Sequence, residues 1–462
     1  VATLTTANHG DSLSGSPEKR LDVAPDGTLW GAVVGDGLIR FFSSTNGGST
    51  WSTSSGSDLS LGSGQNTAVP SFFIDADGYA HISFVKWQAD PQVVIYARGV
   101  PRSGGGWSWS KITISPASGR TGVDSDIVVF RSGTGWVAWV SYDMSATGGA
   151  KVAQVNISST GTLSVGATQH GPSTASAQYQ AGSLEFAHTG DGKTPTGSPH
   201  IFFTVFSAVG AAPIYAHKAT YSGGVWSWQT PVNIVASVEV QSSVMCTVFD
   251  GQYLMVGWVA TGSSVIKVSE WDPSGSTVTA RNPPTVPGGT GTILGISMAV
   301  DPSTDDLHLV AYGATSGNII YSKFTRASTT WSAWATSVTR AASSDDGDVQ
   351  LVRHPPRDSI DMLYSVGSGP YTIYSGQAAA LTRSPNAPTL ISPANGSYTD
   401  LASGATFTWQ YTPVSPGDTQ QAWALRRVYG AGPTTEYWNA STLSWAGSIV
   451  WNATSASTPY SA

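Results

Sequence analysis

Residues 71–114 read SFFIDADGYAHISFVKWQADPQVVIYARGVPRSGGGWSWSKITI. An apolar run is interrupted by Asp75-Ala76-Asp77-Gly78, and a second apolar run, GYAHISFV (78–85), follows at once. Asp-Gly is hairpin chemistry: glycine accepts positive φ, and aspartate bonds its own backbone two residues on. A third strand carries VIYARG (94–99), and a fourth opens on tryptophan, WSWSKITI (107–114). The segment reads as four consecutive antiparallel strands.

The same sentence recurs along the chain. Its second strand reappears as GTLWGAVV (27–34), TGWVAWVS (134–141), SPHIFFTV (198–205), QYLMVGWV (252–259), DLHLVAYG (306–313) and SIDMLYSV (359–366). Each is apolar on nearly both faces, which is the pattern of a buried strand. The third strand returns as PIYAHK (213–218), IIYSKF (319–324) and TIYSGQ (372–377), and more loosely as IRFFSS (39–44) and IKVSEW (266–271). Trp-led fourth strands are WSTSSG (51–56), WSWQTPVNI (226–234) and WSAWATSV (331–338). Four strands repeated seven times specify a seven-bladed β-propeller, expected over residues 1–382. No Trp-led strand follows TIYSGQ, and VATLTTANHG at the start has no inner strands before it. Residues 1–9 are therefore expected to serve as the outer strand of the last blade, closing the ring and removing its free edges.

Composition agrees with an all-β class. The 462 residues include 52 Gly, 18 Trp and 17 Tyr, the mix of turn and strand formers. Charged residues make up 11 %, with a net charge of −7, against about 25 % in an ordinary soluble domain. No Lys/Arg run occurs, so a nucleic-acid partner is not expected. No stretch of about 20 apolar residues occurs, so membrane insertion is not expected. Cys246, the one cysteine, lies in VMCTVF. It reads as a small buried hydrophobe and excludes intrachain disulfides and cysteine-pair zinc sites. The chain opens on Val1 without a signal-peptide pattern, so it reads as processed or as a fragment. Residues 383–389, RSPNAPT, read as a linker. Residues 390–462 alternate strands with Gly/Pro turns, expected to form a fibronectin type III or immunoglobulin-like β-sandwich. They fall short of the roughly 100 residues such a domain takes, so it is expected to be incomplete.

Ser44-Thr45-Asn46-Gly47-Gly48-Ser49-Thr50-Trp51 resembles the Asp-box hairpin of sialidase-like propellers, with Asn46 in place of Asp. Ser44, Asn46, Gly48 and Trp51 are assigned a structural turn. The sialidase resemblance would further imply an arginine triad, but no Arg is followed by Ile-Pro, and Glu239 and Glu270 are the only acidic pair of interest. Asp77-Gly78-Tyr79-Ala80-His81 resembles a motif of a propeller family with polysaccharide lyases among its members. That resemblance would make His81 a base, with Lys86 or Arg120 neutralising a uronate carboxylate. His200 and His308 occupy what reads as the same place in other repeats, which favours a packing role instead. Asp345, Asp346 and Asp348 are oxygen donors of the kind calcium takes, but solvated acidic loops are common and no cofactor is expected.

Thr406-Phe407-Thr408-Trp409, Gln420 to Arg427, Tyr437-Trp438-Asn439 and Trp451 resemble fibronectin-type domains in minor tail proteins of phages that infect actinobacteria. The resemblance implies a virion tail-tip or fibre protein, located extracellularly on the tail, with other tail proteins as partners. The propeller would then be an adhesion head for a host cell-wall glycan. The alternative is a secreted or virion-borne polysaccharide-degrading enzyme, lyase or glycosidase. The binding face is expected where second-to-third-strand loops meet blade entries: Lys86, Trp87 and Gln88, then Tyr142 and Asp143, with Arg120 and Asp124. Trp87 and Tyr142 would stack on sugar rings while the polar groups take hydroxyls.

Overall fold

The computed structural model describes residues 2–7, 19–35, 37–54, 56–61, 70–86, 93–103, 105–114, 121–132, 135–144, 149–170, 179–188, 193, 195, 200–207, 211–222, 225–260, 265–301, 304–339, 349–355, 359–366 and 371–380. Eight short strands are described between 389 and 461. The chain divides into two compact units, Val1–Ala380 and Leu381–Ala462. No helix occurs among the described residues.

The first unit is a ring of seven blades. The chain opens with β1 (Ala2–Ala7), set apart from its sequence neighbours. Blade one holds β2 (Leu21–Val23), β3 (Leu29–Gly35), β4 (Leu38–Ser44) and an outer strand in two pieces, β5 (Ser52–Thr53) and β6 (Leu59–Ser60). Blade two holds β7 (Ser71–Ile74), β8 (Ala80–Lys86), β9 (Val93–Pro101) and β10 (Trp107–Thr113). Blade three holds β11 (Thr121–Ser132), β12 (Gly135–Met144), β13 (Gly149–Ile157) and β14 (Leu163–His170). Blade four holds β15 (Tyr179–Phe186), β16 (His200–Ser207), β17 (Ala211–Ser222) and β18 (Val225–Trp228), continued by the first half of β19 (Val232–Phe249). The second half of β19 begins blade five, followed by β20 (Leu254–Ala260), β21 (Ile266–Trp271) and β22 (Val278–Ala280). Blade six holds β23 (Ile293–Val300), β24 (Leu307–Gly313), β25 (Ile319–Thr325), β26 (Thr330–Trp331) and β27 (Ala335–Val338). Blade seven holds β28 (Val349–Leu351), β29 (Ser359–Val366) and β30 (Tyr371–Ala380), with β1 as its outer strand. Ala2 lies opposite Ser375 and Ala7 opposite Tyr371.

Local chemistry explains most boundaries. The hairpins after the inner strands put Gly27 (φ 84), Gly78 (φ 83) and Gly251 (φ 92) in the left-handed region, and Asp305 (φ 58) in the matching turn of blade six. In the Ser44–Trp51 turn, Ser44 Oγ accepts the Gly48 N–H at 2.9 Å and Asn46 Oδ1 accepts the Thr50 N–H at 2.9 Å. The Trp51 indole donates to Ser375 Oγ of blade seven at 2.7 Å, so the turn also ties the first blade to the last. β19 runs through two blades because nothing from Val232 to Phe249 is Gly or Pro, and half the run is β-branched or aromatic. The outer strands β14 and β22 lack the tryptophan signature.

The cores lie between blades. Val128, Phe130 and Trp139 of blade three pack in one cluster with Phe73 and Tyr96 of blade two and Phe186 and Phe203 of blade four. Tryptophans of outer strands also reach back one blade. Trp109 Nε1 donates to the Ser57 carbonyl at 2.6 Å, Trp331 Nε1 to Arg281 at 2.7 Å, and Trp334 Nε1 to Pro284 at 2.8 Å.

Eight strands are described in the second unit. β31 (Thr389–Ser392), β32 (Thr406–Gln410) and β38 (Tyr460–Ser461) form one sheet. β33 (Ala422–Trp423) pairs with β37 (Asn452–Ala453), and β34 (Arg426–Tyr429), β35 (Thr434–Asn439) and β36 (Ser444–Ala446) form another sheet. All these pairings are antiparallel.

Candidate functional site

The inner strands bring a buried group of charges together. Asp22 on β2 accepts the Val23 N–H (2.8 Å), the Ile74 N–H of β7 (2.7 Å) and a hydrogen bond from His354 Nδ1 (3.0 Å). Lys193, in the β15–β16 connection, donates to the carbonyls of Val23 and Ile74 at 2.5 Å each and stands 3.7 Å from Asp22. Glu185 on β15 is paired with Lys19 at 2.8 Å. Asp126 on β11 takes Ser71 Oγ (2.6 Å), Ser183 Oγ (2.8 Å) and the Leu184 N–H (2.9 Å), with Arg353 at 3.6 Å.

Burial pushes the Asp22 carboxyl up, but Lys193, His354 and the Ile74 N–H outweigh it and hold it at about 2. Glu185 follows the same logic: burial raises it, and Lys19, Arg353 and His188 bring it down to about 2. Burial lowers His354 to about 4 against the pull of Asp22. Locked carboxylates with resident cations are poor proton donors. Their geometry joins blades one, two, three, four and seven, so the cluster is read as an internal tie. No group of three or more His, Cys, Asp or Glu among the described residues could hold a metal ion. Asp345, Asp346 and Asp348 lie outside the described residues.

His81 is fully buried on β8. Its Nδ1 is 2.6 Å from Tyr96 Oη and its Nε2 is 2.9 Å from Asp75 Oδ2, while Asp75 Oδ1 accepts the N–H groups of Asp77 and Tyr79. Burial lowers the His81 pKa, opposed by Asp75. Blade six repeats the pair: His308 Nδ1 is 2.8 Å from Tyr321 Oη. The sheet register corrects the third member of this set. His81 stands opposite Arg98 and His308 opposite Lys323, each two places from the residue facing the tyrosine. In blade four that place belongs to Phe203, opposite His217, whereas His200 faces Thr220. Glu270 is 5 % exposed and held by Arg281 and Arg326. Glu239 lies on β19 opposite Ala211.

Of the expected binding residues, Lys86 ends β8 opposite Val93, and Asp124 lies on β11. Asp143 lies on β12 opposite Ala150. Tyr142, expected on a loop, lies inside β12 opposite Ser125 and Lys151 and is 1 % exposed, within the core of blades two to four. The strand runs further than its turn signals suggested, so this ring packs inward. Trp87, Gln88 and Arg120 lie outside the described residues. The buried cluster was missed from sequence; paired charges inside otherwise apolar or Ser-rich inner strands were the available signal.

Ring closure and the sealed inner strands define an all-β protein of seven-bladed β-propeller class. No family model matches the sequence, and no curated protein matches it. Among solved structures, a polysaccharide lyase of family PL25, ulvan lyase bound to -[GlcA(1-4)Rha3S]-, superposes with a TM-score of 0.53. It is 12 % identical, over 83 % of this chain and 97 % of that one. A six-bladed fucose-recognising lectin of Aleuria aurantia gives a TM-score of 0.40 at 12 % identity, over 68 % of this chain and 95 % of its own. At 12 % identity the likeness to the lyase is one of fold alone.

Proposed function

We propose that the propeller binds a glycan of the host cell wall without cleaving it, as the adhesion head of a phage tail protein. The observation that carries the choice between binding and cleavage is His81. The residue that a lyase would use as base is fully buried and bonded on both ring nitrogens, to Asp75 and Tyr96. A general base must reach the proton it removes, and His308 with Tyr321 repeats the arrangement as a packing unit. Support for a saccharide comes from the ulvan lyase fold and its bound sugar, and support for a tail role from the C-terminal resemblance. In this reading residues 1–382 form the head, 383–389 a linker and 390–462 a β-sandwich spacer docking on other tail proteins. The glycan lies over the loop end near Lys86, Trp87, Arg120, Asp124 and Asp143, with Tyr142 beneath as support.

Incubation with actinobacterial cell-wall polysaccharide tests this. Saturable binding without new reducing ends or unsaturated sugars is expected. Trp87→Ala should weaken that binding by at least about 1 kcal/mol, the scale of an aromatic contact. Released unsaturated product would establish the lyase alternative.

A further inference from the structure

Asn46-Gly47 stands in the turn that joins β4 to β5. Asn46 is exposed and Gly47 partly exposed, so water reaches both. No side chain follows the asparagine: Gly47 and Gly48 take left-handed φ values of 69 and 78. The Gly47 N–H has no acceptor among the described residues. A carboxamide followed by glycine is open to attack on its own Cγ by that next backbone nitrogen.

The turn is arranged around this carboxamide. Asn46 Oδ1 accepts the Ser44 hydroxyl at 2.9 Å and the Thr50 N–H at 2.9 Å. Both donors sit where negative charge gathers when Cγ becomes tetrahedral, and donors so placed stabilise an oxyanion. Ser44 Oγ in turn accepts the Gly48 N–H at 2.9 Å, which leaves its own proton for Oδ1. Asn46 Nδ2, the nitrogen that would leave, donates to Thr50 Oγ1 at 2.8 Å. The same turn holds blade one to blade seven. The Gly48 carbonyl accepts Trp51 Nε1 at 3.1 Å and Ser375 Oγ at 3.0 Å. The backbone length from residue 46 to residue 48 therefore bears on the ring closure.

We propose that Asn46 is a self-modifying site, which deamidates through a cyclic imide and settles as aspartate. The Gly47 nitrogen bonds to Asn46 Cγ and gives up its proton. The Cγ–Nδ2 bond breaks and ammonia leaves. Water then opens the imide. Cleavage between Cγ and the Gly47 nitrogen restores the normal backbone with a carboxylate at residue 46. Cleavage at the α-carbonyl instead leaves isoaspartate, with one extra methylene in the main chain. The net change is amide plus water to acid plus ammonia. The fold favours the first product. A carboxylate keeps both bonds now made by Oδ1, and the Thr50 hydroxyl, which accepts from Nδ2, turns to donate to the second oxygen. Hydrogen bonds to a charged acceptor are the stronger kind. Isoaspartate would shift Gly48 away from Ser44, Trp51 and Ser375 together.

The test ages the full chain in warm, mildly alkaline heavy-oxygen water, with a second portion aged in urea. Peptide mapping by mass spectrometry should find acid at residue 46 carrying one solvent oxygen. An endoproteinase that cuts before aspartate but not before isoaspartate should cleave most of the acid formed in the folded chain. In the urea portion isoaspartate should dominate. Asn46→Asp, made directly, should raise the melting temperature by about 1–2 °C at neutral pH. In a Thr50→Val background, which keeps the N–H but has no hydroxyl to donate, that gain should fall by at least about half. The proposal is overturned if the folded chain gains no acid at residue 46 while the unfolded chain does. It is overturned too if isoaspartate dominates equally in both portions, or if Asn46→Asp lowers the melting temperature.

Discussion

Asp305 occupies a left-handed turn position (φ 58) that Gly27, Gly78 and Gly251 fill in other blades. Burial and the neighbouring Asp301 and Asp306 also raise its pKa. Asp305→Gly should relieve the left-handed backbone strain. Against the greater chain entropy of glycine, a net gain of about 0.5–1 kcal/mol is expected, read from urea unfolding at neutral pH. Buried histidines set the acid limb of stability. Burial lowers His354 to about 4 and His217 to about 3. Between the ordinary histidine range near 6.5 and these values, the unfolded chain binds protons that the fold does not. Stability is therefore full above about pH 6.5 and falls as pH drops towards 4, by up to about 1.4 kcal/mol per pH unit for each histidine. Asp22 and Glu185, held at about 2, add their loss progressively below about pH 5. His217→Phe should flatten the histidine part of the profile; an unchanged slope in urea midpoints between pH 6.5 and 4 would falsify this assignment. At this scale the sequence spoke unevenly. The Asp75–His81 motif was readable, but the place of His200 was not, because equivalence depends on which residue faces it across a strand.

Strands that announced themselves did so through side-chain signatures, and those without one passed unread. β14 and β22 have ordinary alternating residues and no leading tryptophan. β19 hides a blade boundary inside one uninterrupted run. Tyr142 was misplaced because β12 extends beyond its turn signals. The signatures have energetic content. Trp331→Phe leaves the Arg281 carbonyl without its indole donor at 2.7 Å and should cost about 1 kcal/mol in chemical unfolding. Removing β1 should cost more, since blade seven would lose its outer strand and expose the backbone of β30. A clear drop in melting temperature is expected for the chain lacking residues 1–9; an unchanged value would mean that β1 contributes nothing to the ring.

The seven-fold count was legible because each repeat restates the same four strands. The charged tie at the inner strands was not, because Lys19, Asp22, Asp126, Glu185, Lys193, Arg353 and His354 come from separate stretches with no spacing in common. A chain with 11 % charged residues should meet a neutral glycan through stacking and hydroxyl contacts. Cell-wall binding should therefore change less than about twofold between low and high salt, where a charge-steered contact would weaken strongly. Pull-down with purified cell walls at several NaCl concentrations measures this. The pairing of Ala2 with Ser375 also imposes an order on biosynthesis. β1 leaves the ribosome before its partner β30, which emerges only after all the intervening blades, roughly 20–70 s later at ~5–20 residues per second. Throughout that interval the nascent chain carries an unmated strand with an unfinished arc of blades behind it. The ring can be latched only once β30 has emerged, so the hazard of mispairing falls on the growing chain rather than on the finished molecule.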